Sequence, residues 1–145
     1  MTIRQAKTAD LQHVGRLALL LWPDADPEEL SAELASLLDR PDAAVLLCEA
    51  DGTSVGFAQC QLRRDYVEGC ETSPVGYLEG VFVEEAYRRQ GVASALVAAC
   101  QDWARTQGCR EFASDCELDN TDSLHFHLGI GFEEANRIIC FTKRL

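Results

Sequence analysis

A strand-like segment that leads through a short basic turn into a helix is the part of this sequence best suited to binding an anion. Residues 78–83 read Leu-Glu-Gly-Val-Phe-Val, and residues 88–93 read Arg-Arg-Gln-Gly-Val-Ala. The first turn of a helix has unpaired backbone N–H groups at the positive end of its dipole, where a phosphate is favoured. Gly91 lets the backbone approach the anion closely, and Ala93 and Ser94 are small enough to leave room beside it. We therefore predict a pyrophosphate site here rather than a purely structural turn.

Two carboxylates are candidates for binding or deprotonating a cation. Glu79 lies within the apolar strand, where a carboxylate is costly to bury without a partner. It either points outward from an edge strand or serves an amine substrate, by accepting its proton through a water or by holding the ammonium. Asp115 ends a predicted strand, whereas Glu117, Asp119 and Asp122 fit a solvated acidic loop better. The residue pattern alone leaves these alternatives open for Glu79 and Asp115.

The overall charge limits the class of partner. The chain has 145 residues with 13 Lys and Arg against 24 Asp and Glu, which gives a net charge of −11. This length fits one domain over residues 1–145. Phosphate backbones attract basic surfaces, so nucleic acid is an improbable partner. The acidity either provides solubility or forms a cleft that attracts a polycationic small molecule.

The cysteines, the histidines and the apolar runs exclude several further classes. The seven cysteines include no Cys-x-x-Cys pair, so reduced thiols are expected rather than a disulfide scaffold. No cysteine has the context of a nucleophile, so we do not expect a covalent intermediate on the protein. His125 and His127 are two residues apart and would point to opposite sides of a helix, so we predict no metal site.

The longest apolar runs have six residues, where a membrane helix needs about 20. A charged N-terminus without an apolar signal region completes the expectation of a cytoplasmic protein with no membrane partner.

Hydrophobic periodicity and turn residues indicate how these side chains are positioned. The expected strands cover residues 2–5, 44–49, 55–63, 75–83, 111–115 and 138–143. The expected helices cover residues 8–22, 27–38, 91–107 and 120 to about 130. Asp51-Gly52 predicts a hairpin turn, and residues 64–74 a polar loop. The order β-α-α-β-β-β-α-β-α-β predicts an α/β (α+β) domain with a mixed, mostly antiparallel central sheet and helices on both faces.

The pattern Arg88-x-x-Gly91-x-Ala93 after a Val-Phe-Val strand resembles the acetyl-CoA loop of the GNAT superfamily of N-acetyltransferases. The segment Gly129-Ile130-Gly131-Phe132 is similar to the C-terminal motif of that family, and the order of elements matches over essentially the whole chain. Further segments resemble the aminoglycoside 6'-N-acetyltransferases: Leu21-Trp22-Pro23, Asp65-Tyr66-Val67-x-Gly69-Cys70, Ser73-Pro74, Leu78-Glu79-Gly80, residues 108–115 and Gly131-Phe132-Glu133-Glu134.

The resemblance implies a binding site for the co-substrate acetyl-CoA. The backbone of Val81, Phe82 and Val83 would hold the pantetheine arm and the acetyl carbonyl, and Asn120 would contact the coenzyme near its thiol. The pyrophosphate would lie on the loop and first helical turn formed by Arg89, Gln90, Gly91, Val92, Ala93 and Ser94. The resemblance also suggests a homodimer with C-terminal strands at its interface.

The same resemblance implies a substrate site lined by Trp22, Tyr66, Glu79, Asp115 and Asn136. Trp22 and Tyr66 are either core aromatics or surfaces on which a sugar ring stacks, with the Tyr66 hydroxyl as a hydrogen-bond donor. Asn136 departs from the family, because an acidic residue would bind an ammonium more strongly, and Glu133 or Glu134 are candidates to compensate.

His127 is a second departure from the family. It stands four residues before Gly131, where many GNAT relatives have a tyrosine that protonates the departing thiolate. An imidazole titrates close to neutral pH and is able to donate there, but a histidine that packs the helix fits nearly as well. His127, Tyr66 and water remain alternative proton donors, and Glu79 is the candidate base.

These expectations define a function. We expect an acetyl-CoA-dependent transferase that acetylates the 6'-amine of a cationic aminoglycoside, an antibiotic-resistance activity. A polyamine or other small-amine acetyltransferase shares the charge argument. A non-catalytic acyl-CoA-binding module shares only the coenzyme site.

Overall fold

The computed structural model describes all of residues 1–145 as one five-stranded sheet with helices on both faces. In chain order the elements are β1 (Thr2–Gln5), a 3-10 turn (Thr8–Asp10), α1 (Leu11–Leu21), α2 (Pro27–Leu38), β2 (Ala43–Ala50), β3 (Thr53–Arg63), β4 (Val75–Val83), a 3-10 turn (Glu85–Tyr87), α3 (Val92–Thr106), β5 (Phe112–Ala113) and α4 (Thr121–Gly129). The strands lie in the order β1-β2-β3-β4-β5, and every neighbouring pair is antiparallel except the parallel pair β4–β5. The expected mixed, mostly antiparallel architecture is confirmed.

Alternating side chains divide the core between the two faces of the sheet. On β2, Leu46 and Cys48 belong to the cluster under α3, whereas Val45 and Leu47 belong to the cluster under α1 and α2. This is the period of two that a strand buried on both faces requires. No helix is both long and apolar enough to span a bilayer.

The predicted strand over residues 138–143 is wrong for the single chain. Residues after Gly131 have no regular secondary structure, and Ile138, Ile139 and Phe141 are 67%, 81% and 87% exposed. A strand needs a neighbour to pair its backbone, and β5 pairs with β4 over only two residues. No strand of the sheet pairs with the C-terminal segment.

Two other boundaries differ from expectation because side chains and register intervene. The predicted helix from Thr8 begins as a 3-10 turn, and α1 starts at Leu11. The Asp10 carboxylate accepts from the Lys7 N–H and from both terminal nitrogens of Arg4, each at 2.8 Å, which ties β1 to this turn. The strand expected over residues 111–115 is only Phe112–Ala113, because β4 and β5 diverge immediately afterwards.

Candidate active site

A β-bulge in β4 determines where Glu79 lies. Gln59 pairs with Gly80 and Cys60 with Leu78, so Glu79 is the additional residue of β4 with no partner on β3. A bulge bends the strand and redirects the side chain it carries. The alternative of an outward-pointing residue does not apply, because the Glu79 side chain is only 22% exposed.

Hydrogen-bond donors surround the Glu79 carboxylate. Its Oε1 accepts from Gln61 Nε2 at 3.1 Å and from Arg63 Nη2 and Nε at 2.8 and 3.3 Å. The partly buried carboxylate therefore stays hydrogen bonded, with its charge balanced by one guanidinium. A cation that bound to this oxygen would have to compete with Arg63.

Tyr77 links this ion pair to Asp115, the second predicted carboxylate. The Arg63 guanidinium lies 3.4 Å from the centre of the Tyr77 ring, and the Tyr77 hydroxyl donates to Asp115 Oδ2. Burial, and then the hydrogen bond to Asp115, raise the pKa of Tyr77 above its usual range. Arg63 and Tyr77 thus join the two candidate substrate carboxylates into one network. The sequence analysis identified neither Arg63 nor Tyr77, because their contacts join residues of different strands.

A cleft of about 950 Å³ opens beside Glu79 between α2 and the sheet. Asp24, Glu33 and Glu79 supply three carboxylates to its lining, and Arg40 supplies one cation. Trp22 lines the same cleft. The chemistry of the lining suits an extended, positively charged molecule.

Trp22 combines the two roles that the sequence left open. Its ring packs edge-on against Phe57 with centroids 6.1 Å apart, so part of it belongs to the core. A Cβ at Gly80 would lie 2.9 Å from Trp22 Cζ2, so the absence of a side chain there lets the indole lie against β4 next to Glu79. The remaining indole surface faces the cleft.

Tyr66 lies in the loop after β3 and is 77% exposed. Glu111 anchors this loop by accepting from the N–H groups of Glu71 and Thr72 at 2.9 and 2.8 Å. The Thr72 hydroxyl, which also donates to Glu111, and these two N–H groups hold the pKa of Glu111 below its ordinary value. The structure gives Tyr66 no hydrogen-bond contact with Glu79 or His127.

Asn136 lies in the irregular C-terminal segment and contacts that same loop. Its Nδ2 donates to Glu68 Oε1 at 2.9 Å, so the structure joins Asn136 to Glu68 rather than to Glu79. Glu134, one candidate to compensate for Asn136, instead pairs with Arg137, which lowers the pKa of Glu134. The sequence analysis did not identify Glu68, the carboxylate that contacts Asn136.

His127 is half-buried on α4, and both of its ring nitrogens are hydrogen bonded. Nδ1 lies 2.7 Å from the Ser123 carbonyl oxygen, and Nε2 lies 2.8 Å from Ser114 Oγ. The ring also packs against Phe126 and Phe132, with centroids 5.8 and 5.1 Å away. His125 is exposed. His127 therefore packs the helix and also has polar contacts toward β5.

The turn before α3 has the conformation expected of an anion site. Arg89 and Gly91 are left-handed, with φ of +62° and +78°, and α3 begins at Val92. A Cβ at Gly91 would meet nothing within 4 Å, so there is space for a side chain. Glycine is favoured here because of the left-handed backbone conformation. The first N–H groups of α3 have no partner within the helix. Arg88 anchors the turn by donating from Nε to the Val83 carbonyl at 2.8 Å.

The second half of β4 is open on one side. Its parallel pairing with β5 ends at Tyr77 and Ala113, whereas β4 continues through Val81 and Phe82 to Val83. An extended arm fits this unpaired edge, and the α3 turn lies beyond its end. Asn120 caps α4 by accepting from the Ser123 N–H at 3.1 Å, so its side-chain oxygen has a structural role. The residues present fit acetyl-CoA, and no group of three or more His, Cys, Asp or Glu is arranged to hold a metal ion.

The model of the acetyltransferase (GNAT) family matches residues 11–132. This chain belongs to the GNAT family. The family resemblance places acetyl-CoA at the open edge of β4 and the basic turn before α3.

Several relatives of this GNAT domain are named for the same activity. It is 49% identical over 146 residues to an aminoglycoside N(6')-acetyltransferase type 1 of Stenotrophomonas maltophilia, covering 99% of this chain and 94% of that protein. The enzyme of the same name from Salmonella enteritidis is 42% identical, with 99% of both chains covered. The solved complex of AAC(6')-Iy with the bisubstrate analogue CoA-S-monomethyl-acetylneamine superimposes with a TM-score of 0.96 at 42% identity, covering 99% and 98% of the two chains.

Proposed function

We propose that this GNAT protein transfers the acetyl group of acetyl-CoA to the 6'-amine of aminoglycosides. The observation that carries the proposal is the Glu79 carboxylate, which the bulge in β4 directs into an acidic cleft on the strand that leads to the α3 turn. Relatives at 42–49% identity named for this activity support the same substrate class.

The chain's own residues supply positioning and proton transfer. Acetyl-CoA supplies the activated acetyl group. Glu79 holds the substrate ammonium and accepts its proton through a water, which frees the amine to attack. A backbone N–H of β4 near Val81 stabilises the oxyanion that forms. His127 is the group we assign to protonate the departing thiolate, because Tyr66 has no polar contact that would orient it. Holding both reactants in one cleft provides much of the acceleration.

The deciding experiment measures thiol release from acetyl-CoA. Two closely matched aminoglycosides, one with a 6'-amine and one with a 6'-hydroxyl, are compared with spermidine. Turnover with the 6'-amine alone is the expected result. Reaction with spermidine alone would identify a polyamine acetyltransferase, and coenzyme binding without turnover on any amine would identify a non-catalytic acyl-CoA-binding module.

The C-terminal segment supports a homodimer as part of this proposal. Ile138, Ile139 and Phe141 expose apolar side chains on the irregular C-terminal segment, which pairs with no strand of the chain. A second copy of the same chain would pair this segment and cover these side chains. Phe141→Asp should lower the mass measured by sedimentation to that of one chain, whereas Leu118→Asp, an equally exposed apolar site elsewhere, should not. A single-chain mass for the unmodified protein would refute the dimer.

A cytoplasmic location is also retained as a proposal. All seven cysteines are free, which fits a reducing compartment. Fractionation of cells that express the protein tests it.

A further inference from the structure

The hydrogen-bond partners of His127 determine which ring nitrogen carries the proton. Nδ1 lies 2.7 Å from the Ser123 carbonyl oxygen, an atom that only accepts, so Nδ1 must be the donor. In the neutral imidazole Nε2 then has a lone pair and no hydrogen. The group 2.8 Å from Nε2 is the Ser114 hydroxyl, which therefore donates to it.

Ser114 lies where the two parallel strands separate. It directly follows Ala113, the last residue of β5, and its Oγ is 3.3 Å from the carbonyl oxygen of Leu78. Leu78 is the first residue of β4 beyond the pairing with β5. The hydroxyl thus stands between the ring of His127 and the open half of β4, with two acceptors for its one hydrogen.

We propose that Ser114 is a positioning residue for His127, whose neutral ring it holds with the Nε2 lone pair directed toward β4. The inference rests on the proposed function only for its effect on turnover. The hydrogen-bond assignment concerns the protein alone.

The arrangement also serves the protonated ring. When Nε2 gains a proton from solvent, both nitrogens donate, so the Ser114 oxygen accepts from Nε2 and its hydrogen turns to the Leu78 carbonyl. The other neighbours of the ring are the Ser123 hydroxyl, whose Oγ lies 3.3 Å from Nδ1 and accepts from it, and the aromatic side chains of Phe126 and Phe132. The nearest carboxylate along the chain, Asp115, accepts from the Tyr77 hydroxyl instead. His127 therefore exchanges its proton through Nε2, on the side of the gap between β4 and β5.

The first test needs no substrate. Two-bond nitrogen–proton NMR spectra of the nitrogen-15-labelled protein, recorded at alkaline pH, distinguish the two neutral imidazole tautomers. Hydrogen on Nδ1 of His127 is the expected result. Hydrogen on Nε2 would overturn the inference, whether or not the protein acetylates aminoglycosides.

The second test separates positioning from simple folding. Ser114→Ala should lower kcat about 3- to 10-fold, the scale of one hydrogen bond, and leave the KM for acetyl-CoA unchanged. Ser114→Thr, which keeps the hydroxyl, should retain most of the activity, and Ser31→Ala on the exposed face of α2 is the matched control. On a His127→Ala background, Ser114→Ala should add no further loss. An equal loss on that background, or no loss in the single variant, would refute the role. If Ser114→Ala does not fold, the tautomer of His127 and the activity of Ser114→Thr decide whether Ser114 positions the ring.

Discussion

The guanidinium of Arg63 donates to the carboxylate of Glu79 across 2.8 Å and lies 3.4 Å from the centre of the Tyr77 ring. It thereby occupies the carboxylate that we assign to the substrate ammonium. A residue in the neighbouring strand thus balances the charge of Glu79. Binding of a polycation here is an exchange of one cation for another, so Arg63 should weaken substrate affinity.

Replacing Arg63 with Met tests this exchange. Met keeps an apolar stem over Tyr77 and removes the competing charge, so the KM for the aminoglycoside should fall about three- to fivefold, the scale of a partly exposed ion pair. Steady-state kinetics at low salt measures it, with Arg64→Met as the control. Arg64 is the next residue along the chain, and its ion-pair partner is Asp42, at 3.9 Å, rather than Glu79. A higher KM in Arg63→Met alone would mean that Arg63 orients Glu79 instead of competing for it.

Glu79→Gln tests the carboxylate itself. The amide oxygen still accepts from Gln61 and Arg63, so the local structure should persist while the charge and the basicity are lost. Transfer to the aminoglycoside should drop about tenfold or more, because general-base assistance contributes roughly 10²–10⁴ in rate. Glu28→Gln, on the exposed first turn of α2, is the matched control. Unchanged kinetics would remove Glu79 from the mechanism.

Gly91 offers a test of the coenzyme site that does not touch the substrate cleft. Ala at a φ of +78° costs about 1–2 kcal/mol, and relief of that strain would turn the amides away from the anion. Gly91→Ala should therefore raise the KM for acetyl-CoA and lower the free energy of unfolding. Gly15→Ala provides the comparison, because Gly15 lies within α1 with nothing near its would-be Cβ. That variant should be stabilised by about 0.5–1 kcal/mol. Equal effects in both variants would contradict the assignment.

Asp10 should make stability depend on pH. The Arg4 guanidinium and the Lys7 N–H hold the pKa of Asp10 well below its ordinary value in the folded protein. Ionised Asp10 therefore stabilises the fold above about pH 4, and this contribution is lost as the pH falls toward the folded-state pKa. Asp10→Asn should be less stable by about 1–3 kcal/mol at pH 7, and the difference should shrink at pH 3. Urea unfolding at both pH values measures it, with exposed Asp24→Asn as the control. A difference that did not change with pH would refute the linkage.

Local patterns predicted most of the secondary structure. The bounds of α2 and β4 agree with expectation, because Pro27 fixes the start of the helix and a dense run of apolar residues fixes the strand. The prediction of a last strand over residues 138–143 is wrong for the single chain, because this apolar run has no strand partner within it. The length of β5 was overestimated for a related reason, because it ends where its pairing with β4 ends.

The sequence by itself determined the family, the basic turn before α3 and the choice of Glu79 as the central carboxylate, because these depend on residue types at short spacing. Only the tertiary structure decided how Glu79 acts. The bulge that directs it exists in the register between β3 and β4, and Arg63 and Tyr77 meet it across that pair of strands. The contact of His127 with Ser114 likewise joins α4 to the end of β5. Register and contacts between distant segments arise from packing of the whole chain, so no short window of sequence contains them.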